Sequence, residues 1–340
     1  MKKLWLAVST LLVTAPAHAQ TGEDVGAFFK GKVVRIIVGV AAGSGYDINA
    51  RAFARRFGAH IPGNPTVIVQ NQPGAGSITM THSLYKNGPF DGTAIGASFG
   101  GLPTTVLLQP GTPPFDPVKL NWIGSTNRET HVTYVWHTAP DQSFADVYKK
   151  ELVVGAQAPG TTQFDFPMIA NSILGTKFRV VSGYEGTPQI HSAMEAGEIQ
   201  GNGATAWTSL KALKSNWLSE KKIKVIAQWS LRKNPELPDV PSVYEAAKSE
   251  PDKQALRLVM ARLETGRPFF LPPNVPAERI DALRRAFDET MKDPEFLAEA
   301  DRLKLDVDPL NGAEVADLVK DLMATPPDVV TRVREALTPH

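Results

Sequence analysis

The sequence predicts an α/β protein built as two lobes, and three observations carry that reading. Short apolar runs alternate with helix-patterned stretches for most of the chain, as expected of βαβ units that form a parallel sheet. The first run, residues 33–40, is continuous and β-branched, which suits a strand buried on both faces. The length of 340 residues exceeds what one core usually organises, so two lobes are expected.

The N-terminus predicts export. Lys2 and Lys3 precede an apolar stretch, residues 4–13, too short to span a bilayer, and Ala17-His18-Ala19 supplies small residues at −3 and −1 of a cleavage site. This is a secretory signal peptide pattern over residues 1–19, with Gln20 as the first mature residue. Its removal leaves 340 − 19 = 321 residues, with 36 − 2 = 34 basic against 35 acidic side chains, a formal charge of −1. Such a balance offers no electrostatic case for nucleic acid or anionic lipid. The chain has no cysteine, hence no lipid-anchor site and no disulfide, and a free soluble exported protein is expected. No later stretch reaches the roughly 18–20 apolar residues of a membrane helix.

The elements follow in order. After the first strand come a Gly-rich turn over 41–46 and a helical stretch bearing Ile48, Phe53 and Phe57. Then follow a strand at 66–69, a Gly turn, a segment to Tyr85, a strand at 93–97, a further Gly turn and a segment 104–108. A second set begins after Asn121, with strands at 132–136, 152–156, 178–181 and 224–228 and helices at 162–174, 187–196 and 208–214. Residues 201–206 read as a turn. Pro235, Pro238 and Pro241 mark a connection. The last third is helical: Ile280, Leu283 and Phe287 share a face, and Asp293-Pro294 is an N-cap followed by proline. Val315, Leu318, Val319 and Leu322 repeat at helical spacing, and Thr325-Pro326-Pro327-Asp328 resembles a capping box.

Three Gly-containing turns run from strand to helix, where the first helical amides lack partners and carry the positive end of the dipole. A carboxylate or phosphate is the natural guest. Ala42, Gly43, Ser44, Gly45, Tyr46 and Asp47 form the best candidate, with Asp47 more suited to bracing the loop than to touching a ligand. Pro73-Gly74-Ala75-Gly76-Ser77 is the second; Thr79 stands where a dinucleotide fingerprint needs its last glycine, and a plain turn fits better. The third includes Gly160, Thr161 and Thr162, and mirrors the first from the other lobe. Two facing helix N-termini gripping one carboxylate is the resulting hypothesis. Ser98, Thr205 and Trp207 complete the candidate ligand-binding set.

Catalytic chemistry finds less support. There is no Gly-x-Ser-x-Gly elbow, no Walker A sequence and no cysteine nucleophile. His131 and His137 lack a third ligand at metal spacing, and packed or exposed histidines are the better reading. No metal or cofactor is expected.

Val34-Arg35-Ile36-Ile37-Val38 followed by the turn from Ala42 to Asp47 and then Ile48-Asn49-Ala50-Arg51 resembles the opening strand, loop and helix of the Bug (TctC-type) extracytoplasmic solute receptors. Val67-Ile68-Val69-Gln70-Asn71-Gln72-Pro73-Gly74-Ala75-Gly76 resembles their second strand and turn, and Asp91-Gly92-Thr93 their approach to the third. Gly183-Tyr184-Glu185-Gly186, Gly197-Glu198 before a strand, Pro238-Asp239-Val240-Pro241 and Pro272-Pro273-Asn274-Val275-Pro276 are also similar. The resemblance covers essentially the whole mature chain. It implies a type II periplasmic-binding-protein fold, α/β, with two lobes joined by two crossovers and a ligand cleft between them. One lobe would comprise 20–123 with 239–340, the other 124–238. It further implies a monomer in the periplasm that binds a di- or tricarboxylate or an aromatic acid for the membrane components of a tripartite tricarboxylate-type transporter. Presenting a ligand to a membrane kinase is the alternative from another class, and a hydrolase or isomerase is the remotest. Three departures bear on ligand identity: the offset first loop with bulky Tyr46, Thr161-Thr162 where Gly and Ser are frequent, and Val181-Ser182-Gly183-Tyr184 in place of Val-Pro-Tyr-Lys-Gly. Tyr46 is expected either to stack on an aromatic acid or to narrow the pocket.

Overall fold

A computed structural model describes residues 24–109, 111, 115–140 and 143–338; the signal peptide and cleavage site expected from the sequence lie outside them. The first elements are α1 (Val25–Phe29), β1 (Val33–Val38), α2 (Gly45–His60), β2 (Thr66–Asn71), α3 (Ile78–Asn87), β3 (Ala94–Ala97), α4 (Leu102–Leu108) and β4 (Asn121–Ser125). There follow β5 (His131–Trp136), β6 (Leu152–Gly155), α5 (Thr162–Leu174), β7 (Phe178–Val181) and α6 (Thr187–Glu195). Next come β8 (Gly201–Ala206), α7 (Trp207–Leu213), α8 (Ser215–Ser219), β9 (Ile223–Trp229) and α9 (Glu250–Glu264). The chain ends with β10 (Pro268–Leu271), α10 (Ala277–Thr290), α11 (Pro294–Arg302), β11 (Leu310–Asn311), α12 (Gly312–Met323) and α13 (Pro327–Leu337). Among the described residues no helix is long and apolar enough to cross a membrane.

Two sheets organise these elements. The first runs β11-β4-β10-β3-β1-β2 and the second β7-β6-β8-β5-β9. β1 lies parallel between β2 and β3, and β6 parallel between β7 and β8. Each sheet also carries antiparallel strands: β10 against β3 and β4, and β5 against β8 and β9. Each parallel part therefore points the carboxyl ends of its strands at one edge, where strand-to-helix turns collect.

Each sheet has its own core. In the first, Phe53 of α2 stacks on Phe57 at 4.5 Å between ring centres and meets Phe269 at 4.7 Å and Phe287 at 5.5 Å. These aromatic positions recur at helical spacing on α2 and fix it over the sheet. In the second, Phe166 of α5 lies 4.9 Å from Trp229 of β9, both fully buried.

The structure departs from the sequence reading in three places. Residues 201–206 are the central strand β8, not a turn. Their small side chains are required by close packing: a Cβ on Gly203 would lie 2.3 Å from the Gln163 carbonyl oxygen of α5. Glycine here serves close approach, which strand propensity does not register. The boundary at 238/239 does not follow the packing. Leu256 and Val259 of α9, with Val330 and Val333 of α13, belong to the same core as Phe166 and Trp229. The chain thus returns to the first sheet between α9 and β10 and crosses again between α12 and α13. The capping box at 325–328 does not form, because Pro326 is the N-cap and makes no side-chain cap bond. A capping box does form at α12, between Asn311 and Glu314.

Candidate functional site

The first turn is built around Asp47. Ser44 caps α2, its Oγ accepting from the Asp47 N–H at 3.3 Å. Asp47 reaches back, Oδ2 accepting from the Gly43 N–H at 2.8 Å while Oδ1 accepts from Asn71 Nδ2 at 2.9 Å. Arg51 one turn on donates its Nε to both oxygens, at 3.1 and 3.0 Å. These bonds occupy the amides of Gly43 and Asp47. The amides of Gly45 and Tyr46, the first two of α2, have no partner among the described residues.

The third turn repeats the device in the other lobe. Asp165 Oδ1 accepts from the Gly160 N–H at 2.9 Å, and the Asp165 N–H donates to the Thr161 carbonyl at 2.8 Å. Arg262 of α9 donates through Nη1 and Nη2 to Asp165 Oδ2, both at 3.0 Å. The amides of Thr162 and Gln163, the first two of α5, are the ones left over among the described residues. Gly43 and Gly160 both hold left-handed backbone, φ +79° and +92°, a conformation that favours glycine. Each lobe therefore presents two free helical amides behind an aspartate-braced glycine turn.

A row of polar side chains from the connections between the lobes runs between these turns. Arg267 lies with its guanidinium carbon 4.6 Å from the centre of the Tyr46 ring. A Cβ on Gly45 would sit 3.6 Å from Arg267 Nη2, so the guanidinium borders the free amides of α2. Arg267 Nη2 is 3.6 Å from Glu129 Oε1, and Glu129 Oε2 is 3.2 Å from His131 Nε2. Burial works against the charge on Glu129, but His131 and Arg267 outweigh it and hold its pKa below the usual carboxylate range.

Three cavities lie around the site, two of them bordering this row. A chamber of about 280 Å³ in the second lobe is lined by His131, Thr161, Thr162, Gln163 and Thr205 among others. A cavity of about 610 Å³ spans the lobes, with Gly76, Phe99 and Gly101 on one side and Gly160, Asp165 and Arg262 on the other. A third, also about 610 Å³, lies along the connections and is lined by Glu129, Trp207, Asn234 and Asp308.

The predicted residues thus fall into groups. Thr161, Thr162 and Thr205 share the chamber, and Gly160 faces the inter-lobe cavity. Ala42, Gly43, Ser44 and Gly45 form the rim of the first turn, and Asp47 lies buried beneath it. Tyr46 is half-buried: Arg267 covers one face of its ring, Phe99 lies 5.7 Å away, and burial pushes the phenol up to about 12. Ser98 is buried, with its Oγ unpartnered among the described residues. Trp207 lines the cavity along the connections rather than the chamber, its Nε1 donating to Glu236 Oε2 at 2.6 Å. Sequence reasoning missed Arg267, Glu129 and the Asp165–Arg262 brace. The glycine-to-aspartate spacings, 43 to 47 and 160 to 165, were the available signal.

The Asp47 brace makes a pH-dependent contribution to stability. Burial opposes its charge, but hydrogen bonds from Arg51, the Gly43 amide and Asn71 prevail and lower its pKa from 3.8 to about 2. A carboxylate depressed on folding contributes stability that is complete above its unfolded value and lost as pH falls through about 2. The shift corresponds to about 2 kcal/mol. Asp47→Asn is expected to lower the urea-unfolding free energy by that amount at pH 7, with the gap narrowing towards pH 2. An equal gap at both pH values would contradict the assignment.

Comparison with known proteins places these features in context. The family model described as "Tripartite tricarboxylate transporter family receptor" matches residues 59–334. No curated protein matches the chain. Among solved structures, a TctC solute binding protein from Polaromonas, without ligand, is similar with a TM-score of 0.71 at 20% identity, covering 88% of this chain and 98% of its own. A protein from R. palustris solved with adipate is similar with a TM-score of 0.61 at 18% identity, covering 89% and 97%. MatC from Rhodopseudomonas palustris with bound malate gives 0.58 at 16% identity, covering 90% and 99%. At these identities the likeness establishes the two-lobed periplasmic-binding-protein fold.

Proposed function

The chain belongs to the tripartite tricarboxylate transporter receptor family, and on that premise we propose that it captures a small organic carboxylate between its lobes and delivers it to the membrane components of a tripartite tricarboxylate-type transporter. One observation carries the reading: two pairs of unpartnered helical amides, Gly45 with Tyr46 and Thr162 with Gln163, one pair from each lobe. Aligned amides at a helix start favour an anion, and a carboxylate has two oxygens to share between two such ends. Arg267 beside the first pair adds a fixed positive charge. The bound adipate and malate of the two similar structures support a carboxylate as the class of ligand.

In this reading the turn residues Ala42, Gly43, Ser44, Gly160 and Thr161 shape the two grips, Asp47 and Asp165 brace them, and the lobes close by bending at the connections between them. Ser98 and Thr205 lie at the strand ends behind the grips. Residues 127–264 with α13 form one lobe and the rest of the mature chain the other. The protein acts in the periplasm as a monomer after cleavage behind Ala19, and it binds its acid without turning it over.

A thermal-shift screen of ligand-stripped protein against dicarboxylates, tricarboxylates and aromatic acids tests this. A ligand at about 100 times its Kd stabilises by about 2.7 kcal/mol, or roughly 5 °C in a chain of this size. A rise of that order with at least one acid is expected. Flat melting curves with every acid would remove the proposal.

A further inference from the structure

We infer that the two lobes turn about a fixed apolar seam, in which α4 and α12 of the first lobe lie against α9 and α13 of the second, so that closing is confined to the side where the two grips face each other. Such a pivot goes beyond the proposed capture of a carboxylate and needs only the two-lobed fold.

Two helices of the first lobe are anchored in both cores. Leu102 at the start of α4 belongs with Trp122 and Phe270 in the first lobe, whereas Leu107 and Leu108 at its end pack against the core of Phe166 and Val259 in the second. Helix α12 divides in the same way. Val315 and Val319 sit in a first-lobe core, while Leu318 and Leu322 join Val330 and Val333 of α13 in the second. Arg334 of α13 also donates Nη2 to the Leu107 carbonyl.

The chain itself keeps this seam shut. Only Ala324, Thr325 and Pro326 join α12 to α13. A link of three residues reaches at most about 11 Å when extended, and the amides of Ala324 and Thr325 already bond back to the Lys320 and Leu322 carbonyls at 3.1 and 3.0 Å. Pro326 and Pro327 stiffen what remains. The two central crossings are held to each other as well, the Gly266 N–H donating to the Asn127 carbonyl and the Thr126 N–H to the Arg267 carbonyl, both at 3.2 Å. Thr265, 2% exposed, donates Oγ1 to the Gly100 carbonyl at 2.8 Å, and a Cβ on Gly100 would lie 2.2 Å from the Thr265 carbonyl oxygen. This contact pins the second crossing to the turn that starts α4.

The grip side has no such packing. Every residue lining the chamber belongs to the second lobe. Among the described residues no hydrogen bond joins the turn at 42–47 to the turn at 157–163. Separating the grips therefore breaks no hydrogen bond between them, whereas parting the seam returns buried leucine and valine surface to water. That unequal cost makes the seam the pivot.

The chain has no cysteine, so paired spin labels can report each side by double electron–electron resonance. Lys320→Cys with Glu335→Cys puts exposed labels on α12 and α13 across the seam, and Ile48→Cys with Ser192→Cys puts them on α2 and α6 across the grip side. In the ligand-free mature chain the grip pair is expected to show a spread of distances at least about twice that of the seam pair. A seam spread as wide as the grip spread would overturn the pivot. Leu318→Asp, which sets a charge into the apolar contact, is expected to widen the seam distribution in a protein that still melts cooperatively. A seam distribution unchanged by that charge would show that apolar packing does not form the pivot and would overturn the inference. No acid enters either measurement, so carboxylate capture stands or falls separately.

Discussion

Arg262→Ala is expected to destabilise the protein by about 3–5 kcal/mol, the usual cost of removing one partner from a buried ion pair. The arginine and Asp165 side chains are 13% and 6% exposed, so the pair is largely withdrawn from solvent. Arg262 gives Asp165 two hydrogen bonds at 3.0 Å, and Asp165 in turn holds the Gly160 amide. The guanidinium also lies 4.9 Å from the Phe166 ring centre, in the core that joins α5 to α9. The variant therefore strands a carboxylate at the start of α5 and loosens the turn it braces. Arg262→Lys keeps the charge but not the paired geometry, and should recover only part of the loss. Urea unfolding measures both; a loss below about 1 kcal/mol for Arg262→Ala would mean that the pair does not brace the turn.

Removing the free amides singly is expected to weaken carboxylate binding by about 10- to 100-fold each, since a hydrogen bond to a charged group contributes about 1.5–3 kcal/mol. Proline makes this substitution with little disturbance, because Gly45 and Thr162 are the first helical residues, where proline fits and the amide bonds nothing within the helix. The preceding residues are already extended, Ser44 at φ −71°, ψ 162° and Thr161 at φ −85°, ψ 152°, as a residue before proline must be. Gly45→Pro and Thr162→Pro should thus lose affinity with their melting temperatures nearly intact. Gly45→Ala and Thr162→Ala retain the amide and should bind close to the wild type. Affinity lost equally in the alanine and proline variants would point to side-chain volume rather than the amides.

Apart from β8, the strands in the parallel parts of both sheets were legible in the sequence as short apolar runs followed by turns. Helix α5 was read at its observed bounds, Thr162–Leu174, for the same reason. β8 was missed because Gly201, Gly203 and Ala204 match no strand pattern; their size is set by neighbours distant in sequence, among them the Tyr134 and Gln163 carbonyls. α9 was hidden behind the prolines at 235–241, although Ser249 and Pro251 form a regular helix start. The two turns were found from local glycine chemistry. Arg267 and Glu129 were not, since each is a single charge near a connection, with no local periodicity to mark it. Trp207 was counted in the ligand-binding set, and it lines the cavity along the connections. Which side of a strand end faces the other lobe depends on how the chain crosses between lobes, and no local pattern encodes that.

The most direct measurement is calorimetric titration of Gly45→Pro/Thr162→Pro with the acid that most stabilises the wild type. If one carboxylate bridges the two helix starts, the double variant should lose at least about 100-fold in affinity while unfolding at nearly the wild-type temperature. A double variant that binds with wild-type affinity would show that neither helix start holds the acid.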